Sequence, residues 1–107
     1  MKVEIKGIHL EITERIQDYL DAKMPRLDFA KELIVDLLLN LTREKSLFKV
    51  DATMNFRWGA SKHLGVENFD LNQGIDELFD KLDSVLAKEK SRVKEHHKKQ
   101  EPSRDGE

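Results

Sequence analysis

The sequence predicts an α/β fold. It is a two-layer sandwich in the order β-α-β-β-β-α, with a four-stranded mixed sheet carrying two helices on one face. Three observations predict it. Strict alternation over Leu47–Phe56 sets Phe48, Val50, Ala52, Met54 and Phe56 against Lys49, Asp51, Thr53 and Asn55, the mark of a sheet with one wet face. Leu71, Ile75, Leu78, Phe79, Leu82, Val85 and Leu86 recur three and four apart, which makes one apolar side of a long helix over residues 70–99. A length of 107 residues suits one domain with a single modest core.

Residues 2–6 alternate, Val3 and Ile5 against Lys2, Glu4 and Lys6, and read as a short strand ended by Gly7 and followed by an extended link. Thr13 is placed as a helix N-cap, with Glu14 in the first turn where the helix dipole favours an acid. Ile16, Leu20, Met24 and Leu27 then share a face, with Tyr19 half in the core beside them. Pro25 lacks an N–H and biases Met24 away from helical angles, so a kink or a fresh turn is expected there.

The second strand is expected over 34–42. Its pattern sets Val35, Leu37, Leu39 and Leu41 on one face and Ile34, Asp36, Leu38, Asn40 and Thr42 on the other. Residues 43–46 are a polar turn into the third strand. Arg57, Trp58 and Gly59 turn the chain into a fourth strand over 60–67, with Leu64 and Val66 inward and Lys62 on the same parity near the edge. Asn68 or Asp70 caps the long helix, and Asp70 with Gln73 has capping-box spacing. Gly74 costs up to about 1 kcal/mol relative to Ala in a helix, so a close approach to the sheet is expected there. Thirty helical residues span roughly 45 Å, whereas a strand of six to ten residues spans roughly 20 to 33 Å. The helix must overhang the sheet. Residues 1–99 therefore form the expected domain, and 100–107 a short disordered tail.

Composition excludes several function classes. There is no cysteine, so disulfides, thiolate metal sites and cysteine nucleophiles are absent. No phosphate-cradling glycine loop is present. His96 and His97 are adjacent on a helix, where neighbouring side chains diverge instead of converging on a metal. No acid or hydroxyl has a base-and-orienter partner, so the chain is expected to be no enzyme and to need no metal or cofactor. The first residues lack the apolar run of a signal peptide, and no stretch reaches membrane-span length, so the cytoplasm is the expected compartment.

The charge is uneven. Residues 1–87 hold sixteen acids and twelve bases, whereas residues 88–99 hold two acids and six bases; the whole chain nets -2. The overhanging half of the helix thus carries Lys88, Lys90, Arg92, Lys94, Lys98 and Lys99, which fall on two adjoining ridges. Such ridges suit phosphate backbones, each contact adding salt-dependent affinity. They equally suit a solvated helix end whose cations favour the C-terminal dipole. Trp58 reads either as a stacking platform for a base or as a lid at the sheet end. The polar sheet face or an edge strand offers a surface for a protein partner as an alternative.

Several segments coincide with one known pattern: VEIKGIHLEITERI, YLDAKMPRL, FKVDATMNF and DLNQGIDELFDKLDSVLAKEK. Over residues 1–95 the chain resembles the ribosome hibernation promoting factor and ribosome-associated inhibitor family, also known as the sigma-54 modulation protein family, in its short form. That resemblance implies a fold similar to double-stranded RNA-binding domains. It also implies binding to the small ribosomal subunit, through ribosomal RNA in the messenger and transfer RNA channel, with translation blocked sterically and ribosomes kept inactive. The matching cations are Lys23, Arg26, Lys81, Lys88 and Lys90, with Arg92 and Lys94 as a looser continuation. Ser84 stands where many members carry a base, and Asp83 and Glu89 lower the charge further. The free protein is expected to be a monomer, with no membrane or small-molecule partner.

Overall fold

Thr13 and Asp70 start the two helices, and their side chains do so in the same way. In the computed structural model, which describes residues 1–99 with side chains through Arg92, Thr13 Oγ1 accepts from the Ile16 N–H at 3.3 Å and opens α1 (Glu14–Lys23). Asp70 Oδ1 accepts from the Gln73 N–H at 3.2 Å and opens α2 (Leu71–Lys99). The Asp70 N–H in turn donates to Asn68 Oδ1 at 2.8 Å, so the cap is itself held. The predicted tail over 100–107 and the side chain of Lys94 lie outside the described residues.

At Pro25 the chain takes the fresh turn its chemistry calls for. α1 stops at Lys23, and 3-10 turns continue through Met24–Leu33 with the proline in their first turn. Three residues per turn put Leu27 and Ala30 on one side, both fully buried, with Leu33 half-buried after them.

The four strands are β1 (Lys2–Ile8), β2 (Ile34–Glu44), β3 (Leu47–Phe56) and β4 (Ser61–Asn68), in the spatial order β1-β2-β3-β4. β1 runs parallel to β2, with Ile5 opposite Leu39, and α1 and the 3-10 turns form the crossover between them. β2–β3 and β3–β4 are antiparallel. The sheet is mixed, as expected. Its helix-facing side contributes Leu37, Leu39, Leu41, Val50, Ala52, Met54 and Phe56 to one core with Leu20, Ile75, Leu78, Phe79, Leu82 and Leu86.

Two expectations fail at the start of β1–β2. Gly7 does not end the first strand, which continues to Ile8. A Cβ on Gly7 would lie 2.1 Å from the Leu10 carbonyl oxygen, because His9 adopts φ 57° and folds the chain back at once. The glycine is needed for that approach. In β2, Ile34 is buried and Val35 is 52% exposed, the reverse of the alternation. The register with β3 shifts between Ile34 and Asp36, and an extra residue in a strand turns the side chains before it over.

The close approach expected at Gly74 is real. A Cβ there would stand 3.3 Å from Val50 Cγ2 and 3.4 Å from Asn68 Cβ, so α2 enters the core within its first turn. The opposite sheet face is polar and bonded to itself: Asn55 donates to Asp36, Ser61 donates to Asn55 at 2.7 Å, and Thr53 pairs with His63 at 2.9 Å. Among the described residues no helix is long and apolar enough to cross a membrane.

Candidate nucleic-acid interface

α2 turns roughly 100° per residue, which divides its exposed side into two flanks and a crest. One flank faces β4. Lys81 Nζ donates to the Gly65 carbonyl at 3.4 Å, Lys88 is exposed, and Arg92 lies 3.6 Å from Glu89. The other flank faces α1 and the 3-10 turns. Lys90 Nζ there donates to the Phe29 carbonyl at 2.6 Å and sits 5.9 Å above the Phe29 ring. Ser84, Ala87 and Ser91 run between the flanks, all exposed and all small. Of the expected ridges, Lys88 and Arg92 stand on one side of this low crest and Lys90 on the other, while the side chains of Lys94, Lys98 and Lys99 lie outside the described residues.

Lys23 and Arg26 join the second flank, and neither is a free cation. Lys23 Nζ lies 2.7 Å from Asp76 Oδ1, which also accepts from the Tyr19 hydroxyl at 2.7 Å. One Arg26 guanidinium nitrogen reaches both Asp80 at 2.9 Å and Asp83 at 3.0 Å. Asp76, Asp80 and Asp83 are spaced four and three apart, which aligns them on one side of α2. Together they form an ionic ladder from α2 to the end of α1 and the start of the 3-10 turns. The Lys23 hydrogen bond, then that of Tyr19, holds the Asp76 carboxyl below its ordinary value of 3.8. The hydrogen bond to Asp76 raises Lys23 above its ordinary value, and Tyr19 is raised by its own hydrogen bond to Asp76. Arg26 is raised by Asp83 first and Asp80 second.

The Asp76 shift has a measurable consequence. Below pH 3.8 the unfolded chain binds the Asp76 proton more readily than the folded one, so folding stability falls with pH there. The contribution is complete above that value and is lost as pH drops through the folded-state value. Asp76 is 43% exposed, so solvent screens the effect and keeps it modest. Melting Asp76→Asn beside the parent from about pH 5 down to about pH 2.5 checks this. The variant's melting temperature is expected to fall less steeply below pH 3.8.

Glu89, which dilutes the basic charge in the sequence, is held between two cations in three dimensions. It is 5% exposed, and its carboxylate lies 3.3 Å from Lys62 Nζ at the start of β4 as well as near Arg92. It ties the helix to the sheet edge. Trp58 stacks on Phe56, with ring centroids 4.9 Å apart and planes within 9°, and stays 48% exposed. One ring face is a lid and the other is open.

Residues 3–94 match the family described as Sigma 54 modulation protein / S30EA ribosomal protein. The chain belongs to this family. Among its relatives, the ribosome hibernation promoting factor of Azotobacter vinelandii is 34% identical over 103 residues, covering 96% of this chain and 95% of that protein. The ribosome hibernation promoting factor of Escherichia coli strain K12 is 33% identical over 96 residues, covering 90% of this chain and all of that one. In fold the chain is similar to a ribosomal subunit interface protein from Coxiella burnetii, with TM-score 0.77, 22% identity, and coverage of 85% of this chain and 99% of the other.

Within this S30EA-type fold, sequence reasoning missed the ladder. Its pairs join residues 53 to 57 positions apart, and no local pattern announces such a contact. A usable signal did exist. Acids at 76, 80 and 83 and bases at 23 and 26 repeat at matching helical spacings, which is what two packed helical segments need in order to pair. Phe69 was also missed; it is 74% exposed in the turn before α2.

Proposed function

We propose that this chain is a ribosome hibernation factor that docks on the small ribosomal subunit through ribosomal RNA, in the channel taken by messenger and transfer RNA. Occupancy alone blocks translation and holds the ribosome inactive, so the reading is non-enzymatic: no bond is made or broken. The observation that carries it is the arrangement of α2, where Lys81, Lys88 and Arg92 stand on one flank and Lys90, Lys23 and Arg26 on the other. The crest of Ser84, Ala87 and Ser91 between them leaves room for a phosphate backbone to approach both flanks. Lys94 extends the same helix. Family membership and the names of the relatives support a ribosome as the target.

The chemistry is additive. Each cation that meets a phosphate releases a condensed counterion, so affinity falls steeply with salt and carries little sequence preference. Shape then supplies the specificity, because α2 must fit between RNA strands. The polar sheet face supports a protein partner less well, since Ser61, Asn55 and Asp36 bond in a chain and Thr53 pairs with His63, leaving Asn40 Oδ1 and Asp51 Oδ1 as its buried atoms without partners among the described residues.

Sedimentation tests the proposal. Purified ribosomes and separated subunits are spun with the protein at about 50 mM and about 200 mM salt. The protein is expected to travel with the small subunit at the lower salt and to be partly released at the higher. Travel with neither subunit, or binding indifferent to salt, overturns the reading.

A further inference from the structure

Arg26 is assigned to RNA by the reading above, yet it is already occupied. Its terminal nitrogen is shared between Asp80 and Asp83, at 2.9 and 3.0 Å. A carboxylate and a phosphate compete for the same guanidinium geometry, so RNA has to displace these partners or share Arg26 with them. The two carboxylates are placed to yield. The Asp80 side chain is 71% exposed and that of Asp83 41% exposed, so either turns into water on release without burying charge. Asp76 differs. It is held from two directions by Lys23 and Tyr19, and the Lys23 side chain is only 26% exposed. The ladder therefore has one structural rung and one exchangeable rung.

We propose that Asp80 and Asp83 are functional residues of the RNA site, acting as built-in competitors that hold Arg26 until phosphate replaces them. They weaken the complex, and so keep docking reversible. This rests on the RNA-binding reading and adds the acids to it. The competition also accounts for an RNA-facing helix that carries Asp80 and Asp83 beside its cations within a chain of net charge -2.

The test is a double-mutant cycle on the full chain, with binding to small ribosomal subunits read at about 100 mM salt. Asp80→Asn with Asp83→Asn is expected to tighten binding about three- to tenfold, the reach of two partly exposed ion pairs. In an Arg26→Gln background the same two changes are expected to gain clearly less. An equal or larger gain without Arg26 means that the acids act only through bulk charge, and overturns the proposal. Weaker binding also overturns it, because the aspartates would then be orienting Arg26 for RNA. Unchanged binding overturns it too. Asp80→Asn alone, at the more exposed position, serves if the double variant melts early. A generic RNA duplex at about 50 mM salt forms a second arm. If the parent fails to bind subunits, the ribosome reading falls. The Arg26-dependent gain on the duplex still decides the role of the acids.

Discussion

Reversing Lys81, Lys88 and Lys90 to glutamate together is expected to cut affinity for the small ribosomal subunit about a thousandfold at ~0.1 M salt. Near that salt each lost phosphate contact removes about a factor of ten, and a reversed charge adds repulsion. The plot of log affinity against log salt should also flatten by about two to three units, one for each contact removed. The fold should survive. Lys88 is exposed, and Lys81 and Lys90 each give up one hydrogen bond to a backbone carbonyl, of Gly65 and Phe29, worth about 1 kcal/mol or less apiece. Fluorescence titration at several salt concentrations, with a melting curve for each variant, separates the two effects. Unchanged affinity and an unchanged salt slope would remove α2 from the interface.

Phe79→Ala is expected to be the most damaging single change to the fold. Phe79 is the largest of the fully buried side chains, on the α2 face shared with Ile75, Leu82 and Leu86. Truncation removes its transfer energy and leaves a cavity that the β-sheet beneath cannot fill, a loss of about 3–5 kcal/mol. That is a large part of the stability of a domain of this size and should lower the melting temperature by about 12 °C or more. Phe69→Ala is the matched control. Ten positions earlier and 74% exposed, it should move stability by less than about 0.5 kcal/mol. Thermal melts followed by circular dichroism compare the two directly.

Local chemistry was readable wherever one physical cause dominated. The alternation of Leu47–Phe56 reports a sheet with one buried face, because side chains on a strand have nowhere else to point. The stripe from Leu71 to Leu86 reports the core side of α2 for the same kind of reason. Asp70 and Thr13 cap as expected, since each cap is settled within three residues. Strand and helix ends fall within two residues of expectation. Ile34 and Val35 went the other way, because a register shift against β3 depends on a strand that comes later in the chain. Gly7 was misread as a stop because the nearby carbonyl that requires it, from Leu10, is brought close only by the left-handed turn at His9.

Helix α2 shows the same division. From sequence alone come the order of elements, the sheet with one wet face, the length of α2, and a run of bases on two ridges. All of these follow from periodicity and reach along a single segment. Only the tertiary structure decided what those charges meet. Lys23 and Arg26 are taken up by Asp76, Asp80 and Asp83, Lys90 by a backbone carbonyl, and Glu89 is buried against Lys62, while Lys88 remains exposed. The reason is physical: an ion pair needs its partners within about 4 Å, and the packing of α2 on α1, the 3-10 turns and β4 is what sets those distances.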